Sequence, residues 1–76
     1  MEQFIGMWST NNGNTWGNAI TGKTVLGLKR ELNNIIRGNL TGRTDKGKGT
    51  ITDAKTGCEQ AVWSLDWYDN IIHDIK

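Results

Sequence analysis

One cysteine and one histidine in 76 residues leave this chain no means of stapling itself. Cys58 has no second thiol to pair with, and Cys58 with His73 falls short of the ligand set of a structural zinc site. A hydrophobic core of this size supplies only about 3–5 kcal/mol of net stability. Large buried side chains or a partner subunit must therefore compensate, and Trp8, Trp16, Trp63 and Trp67 are the large side chains at hand. One helix covers only one face of a sheet, so strands with bulky apolar groups on both faces leave apolar surface for a partner.

Hydrophobic periodicity and turn chemistry place four strands. Residues 2–9, EQFIGMWS, crowd Phe4, Ile5, Met7 and Trp8 into a segment that ends in Thr10-Asn11-Asn12-Gly13, where Asn-Gly is a strong hairpin signal. The return strand, about 14–20, is expected to set Trp16, Asn18 and Ile20 on one face. Residues 24–37 read as a helix: Val25, Leu28, Leu32, Ile35 and Ile36 recur at helical spacing, with Thr24 as N-cap and Gly38 as the stop. A polar, glycine-rich loop runs on to about Gly47, a third strand opens at Lys48-Gly49-Thr50-Ile51-Thr52, and CEQAVWSLDWY returns after the turn at 54–57. In that last strand Ala61, Trp63, Leu65 and Trp67 alternate with Val62, Ser64, Asp66 and Tyr68, so the odd set is expected to face the helix.

These elements predict a single α+β domain, residues 1–76, in the order β-β-α-β-β. The expectation is an antiparallel sheet of four strands with one helix on one face, or of five strands if the tail NIIHDIK adds an edge strand instead of a short helix. Proline is absent, so charge alone blunts the edges, and an unpaired edge offers a route to a homodimer. The longest apolar runs are a few residues, and MEQFIGMW has neither the basic start nor the apolar stretch of a signal peptide, which predicts a cytoplasmic protein with no membrane partner.

Residues 17–24, GNAITGKT, match the phosphate-loop pattern letter for letter. Such a loop acts only when a strand buried on both faces delivers it, and the residues before Gly17, STNNGNTW, are polar turn chemistry. The core of the motif, Ile20-Thr21-Gly22-Lys23-Thr24, is echoed by Leu40-Thr41-Gly42-Arg43-Thr44, whose sequel DKGKG has no helical periodicity. The shared content is an apolar residue followed by a Thr-Gly turn, so the motif is read as structural and no nucleotide cofactor is expected.

Other chemistry is sparse. A Cys58/His73 dyad lacks a third orienting group and an oxyanion site, and Asp66, Asp69 and Asp74 match no known ligand loop, so neither an enzyme nor a metal centre is expected. Charge is more informative. Residues 21–55 hold eight basic side chains against Glu31, Asp45 and Asp53, a net +5 within a chain whose total is +1. A basic helix surface and loop suits an acidic or phosphate-bearing partner, with aromatic anchors beside it. The expected partner-binding residues are Trp8, Tyr68, Arg37, Arg43, Lys46 and Lys48. Two functions follow from them: a module that grips another protein, and a small nucleic-acid binder that uses the basic loop 37–48 and exposed aromatics.

The stretch GNAITGKTVLGLKRELNNIIRG, framed by two hairpins, resembles the small inhibitors of bacterial defence carried by phages and mobile elements, the anti-CRISPR proteins among them. The resemblance is one of layout across most of the chain and carries no family motif. It implies stoichiometric inhibition of a host protein or ribonucleoprotein complex by direct contact, without catalysis, in the cytoplasm of a bacterial cell.

Overall fold

The structure of the chain, a computed structural model, describes residues 3–68 and 70–73. Strand β1 (Phe4–Thr10) pairs on one side with β2 (Thr15–Trp16) and β3 (Ile20–Gly22), and on the other with β4 (Lys46–Asp53). β4 pairs with β5 (Glu59–Asp66) and β5 with β6 (Ile71–His73), every pair being antiparallel. Helix α1 (Val25–Asn39) packs on one face of this six-stranded sheet. The α+β class with one helix agrees with expectation. The strand count exceeds the four or five expected because the single return strand expected at 14–20 is two strands; the tail supplies β6 at the outer edge, the edge-strand alternative expected of it.

A bulge opposite Trp8 divides the return strand. Ser9 pairs with Trp16, whereas Gly6 pairs with Ile20, so the register slips by one residue between the two pairings. Both Gly17 and Asn18 answer Trp8: Gly17 N–H donates to the Trp8 carbonyl at 3.1 Å, and the Trp8 indole Nε1–H donates to the Asn18 carbonyl at 3.0 Å. A slip of one residue exchanges the faces of everything beyond it. Trp16 therefore lies on the face away from the helix and Ile20 on the helix face, which corrects the expectation that they share one.

Glycines set how closely the helix approaches. Leu28, Leu32 and Ile36 form its buried stripe at i, i+4 and i+8. Beneath them lie Gly6, where a Cβ would fall 2.8 Å from Leu32 Cδ1, and Gly47, where a Cβ would collide with Ile36. Gly47 is accordingly a strand residue under the helix and not part of the flexible loop expected there, and β4 opens at Lys46 instead of Lys48. The loop shrinks to residues 40–45. Thr24 caps the helix as expected, accepting from Gly27 N–H at 3.1 Å. Gly38 does not end it. The helix runs to Asn39, whose Nδ2 donates to the Ile35 carbonyl at 2.7 Å and so satisfies an acceptor of the last turn.

Trp63, Leu65 and Ile51 complete the core, all of them fully buried. Trp63 is held from above: its Nε1–H donates to Asn33 Oδ1 at 2.7 Å, and Lys29 Nζ lies 5.3 Å from the ring centroid. Lys29 and Asn33 are one turn apart on α1, so a single indole fixes the helix to β5. Trp67 departs from the expected helix-facing set, because β5 ends at Asp66 and Trp67 stands exposed in the turn that follows.

Candidate functional site

The face that α1 leaves uncovered carries the mixture of groups that binding requires. Alternation along the strands assigns Met7 and Ser9 of β1, Lys46 and Lys48 of β4, and Val62, Ser64 and Asp66 of β5 to that face. Cross-strand register lines up one row of five residues: Trp16, Ser9, Lys48, Ser64 and Ile72. With strands about 4.8 Å apart, the row spans about 19 Å. Trp16 at 54% and Ile72 at 56% exposure stand at its ends. Ser9, between Trp16 and Lys48, is buried, and its Oγ has no hydrogen-bond partner among the described residues.

One end of this face is built by Asp45. Residues 11–13 form a tight turn in which Asn11, Asn12 and Gly13 all take positive φ, an arrangement that presents successive backbone N–H groups to an anion. The anion is the Asp45 carboxylate. It accepts from Asn11 N–H at 3.1 Å, Asn12 N–H at 2.8 Å, Thr41 N–H at 2.9 Å and the Thr41 hydroxyl at 3.0 Å. Burial raises the pKa of this carboxyl, but the bonds from Thr41, Asn12 and Asn11 outweigh it and hold the group below the ordinary carboxylate range. Asp45 thus ties the β1–β2 turn to the α1–β4 loop and fixes both against the start of β4.

Asp66 plays the corresponding part at the β5–β6 turn. It accepts from Asn70 N–H and Asn70 Nδ2 at 2.9 and 3.0 Å and from Tyr68 N–H at 2.9 Å. The two bonds from Asn70 depress its pKa most, with smaller contributions from Tyr68 N–H and the nearby Lys46 ammonium, against a rise from desolvation. Between the 11–13 turn and β4 lies a depression of about 230 Å³ lined by Asn12, Gly13, Lys46, Gly47, Lys48 and Ser64.

The six expected partner-binding residues divide unevenly. Lys46 and Lys48 lie on the uncovered face, exposed. Arg43 is exposed in the loop that leads into β4, Arg37 is exposed in the last turn of α1, and Tyr68 is 63% exposed beside Asp66, the cross-strand partner of Lys46. These five gather towards one end of the sheet. Trp8 is set apart from them: it lies half-buried on the helix face, packed against the core, with its ring over Gly17. Trp16 is the aromatic residue on the uncovered face, and sequence alternation missed it because the bulge reverses its side.

The remaining chemical candidates are not brought together. Cys58 is exposed in the β4–β5 turn, and His73 pairs with Trp63, five residues farther along and so about 16 Å from Cys58. Asp69 and Asp74, which matched no ligand loop with Asp66 in the sequence, lie outside the described residues. Among the described residues, no group of three or more histidine, cysteine or acidic side chains is placed to hold a metal ion, and no helix is long and apolar enough to cross a membrane. The residues of GNAITGKT are not arranged as a phosphate loop: β3 runs through the middle of the motif as an antiparallel edge strand, and Gly17 sits under the Trp8 ring. No protein-family model matches the chain, and no curated protein or solved structure matches it.

Proposed function

We propose that this chain is a small non-enzymatic binding protein whose uncovered sheet face grips an acidic protein surface. One observation carries the reading: Met7, Trp16, Val62 and Ile72 share that face with Lys46 and Lys48, exposed apolar groups interleaved with basic ones. Aromatic anchors are enriched at interface hot spots, and basic groups steer a partner of opposite charge. Arg43 and Tyr68 flank that face at the end where Asp45 and Asp66 hold the turns, with Arg37 behind them on the helix. The resemblance to phage and mobile-element inhibitors suggests the class of partner, a host defence protein or ribonucleoprotein complex that is blocked by contact.

A second reading rests on the row that joins Trp16 to Lys48 through Ser9. An exposed indole stacks a base and a lysine two strands away meets a phosphate, so single-stranded nucleic acid is the alternative occupant. Salt separates the two. Candidate defence complexes are titrated with the protein, and the affinity is followed from 50 to 500 mM salt (about the range in which phosphate contacts are lost). Tyr68→Ala, Trp16→Ala and the pair Arg43→Ala with Lys46→Ala are compared with the wild type, each checked for folding. Folded variants that all bind at wild-type strength would exclude this face. Loss confined to the charge variants, with wild-type binding abolished by salt, would favour nucleic acid.

A further inference from the structure

The depression between the 11–13 turn and β4 has a more specific use than general attraction. Lys46 and Lys48 stand two residues apart on one face of β4, about 6.7 Å from one backbone position to the other. One carboxylate bridges such a pair with a charge-assisted bond of about 2.8 Å from each oxygen. The Ser64 hydroxyl, cross-strand to Lys48, adds a donor on the β5 side, and Asn12 and Gly13 close the depression on the other. The volume of about 230 Å³ admits a carboxylate together with its methylene stem.

We infer that this depression is an anchor for a single aspartate or glutamate side chain of the protein partner, one flanked by apolar residues. The inference rests on the protein-binding reading above and names the group that this face recognises. The surroundings favour one isolated negative charge over a polyanion. Asp66 faces Lys46 across the strand pair and is held ionised by Asn70 and Tyr68, so a phosphate chain continuing past Lys46 meets a like charge. In the other direction the row runs through buried Ser9 to Trp16, with Met7 and Val62 beside it, which suits an apolar neighbour of the acidic residue.

The test uses three probes on the full chain at 50 mM salt: N-acetyl-glutamate methylamide, inorganic phosphate and the oligonucleotide dT8. Amide chemical shifts report the site and Trp16 fluorescence reports stacking. Saturable shifts at Gly13, Lys46, Gly47, Lys48 and Ser64 are expected with the glutamate probe, at lower concentration than with phosphate. Lys48→Gln and Lys46→Gln are each expected to weaken it by about tenfold, the worth of one charge-assisted hydrogen bond. Shifts that do not saturate, or that survive both substitutions, overturn the anchor. Tighter binding of dT8 with Trp16 quenching overturns both the anchor and the protein-binding reading. A partner captured equally by wild type and by the folded double variant K46Q/K48Q overturns the anchor while leaving that reading intact.

Discussion

Gly49 lies between two tryptophans, with Trp8 of β1 and Trp63 of β5 as its cross-strand partners, and the Trp63 indole covers it so closely that a Cβ would fall 2.6 Å from ring carbon Cε2. Gly17 stands in the same relation to the Trp8 ring. The Trp63 ring leans over a glycine of the neighbouring strand and the Trp8 ring over the glycine of the bulge, so each indole packs directly against backbone.

Glycine substitutions should therefore change sign with position. Gly49→Ala is expected to cost about 1–3 kcal/mol by forcing Trp63 from its place. Gly38→Ala should stabilise by about 0.5–1 kcal/mol, since Gly38 is helical and a Cβ there meets nothing within 4 Å. Urea midpoints of the two variants on opposite sides of the wild type are the expected result; a stabilising Gly49→Ala would mean that the ring has room to move.

Trp63→Ala should be the most damaging single change, costing about 3–5 kcal/mol as buried aromatic truncations do. That approaches the whole stability of so small a domain, so an unfolded chain by circular dichroism is expected. Trp63→Phe keeps a ring and loses the N–H that Asn33 accepts, a deficit of about 1–3 kcal/mol. If Trp63→Phe behaved like Trp63→Ala, the bond to the helix and not ring volume would be the dominant contribution.

Sequence pattern carried the helix, its Thr24 cap and the β5 alternation because each is a local signal with a strong period. Trp63 and Leu65 are buried, as the alternation requires; Tyr68 is exposed as expected, but because it lies with exposed Trp67 in the turn beyond the strand. Pattern failed where the cause was tertiary. The slip opposite Trp8 depends on an indole reaching the Asn18 carbonyl, and no local pattern in TWGNAI announces it. Gly47 reads as loop because the reason for it lies in Ile36, distant in sequence. Basic composition located Lys46 and Lys48, but the uncovered face on which they meet Trp16 emerged only from the register.

The phosphate-loop spelling at 17–24 should have no counterpart in binding. Lys23 is exposed between an antiparallel edge strand and the helix, with no buried parallel strand to aim it. Calorimetric titration with ATP or GTP and magnesium should give no saturable heat at millimolar ligand, on the order of physiological metabolite concentrations. Micromolar affinity removed by Lys23→Ala would refute the structural reading of the motif.

Ser9→Ala should leave stability unchanged or raise it by up to about 1 kcal/mol, because the buried Oγ has no partner among the described residues and its desolvation is uncompensated. A loss of more than about 1 kcal/mol would reveal a hydrogen bond to that hydroxyl.

Acid sensitivity should trace largely to Asp45. Its folded-state pKa lies below the ordinary value, so folding favours the ionised form. The resulting stability is fully present above the unfolded carboxylate pKa of about 3.9 and is lost as pH falls through the lower folded value. Asp45→Asn keeps one acceptor oxygen but surrenders the charge and the second oxygen, while four donors from two loops still converge there. At pH near 7 it should cost about 2–3 kcal/mol, in line with charged hydrogen bonds at buried sites. Asp66 is also depressed and contributes its own acid dependence, so the informative quantity is the difference between wild type and Asp45→Asn. Urea unfolding between about pH 6 and pH 2 should show that difference constant above pH 4 and shrinking below it. A difference that stays constant throughout the acid range would mean that Asp45 acts through shape alone and that its ionisation does not hold the two loops together.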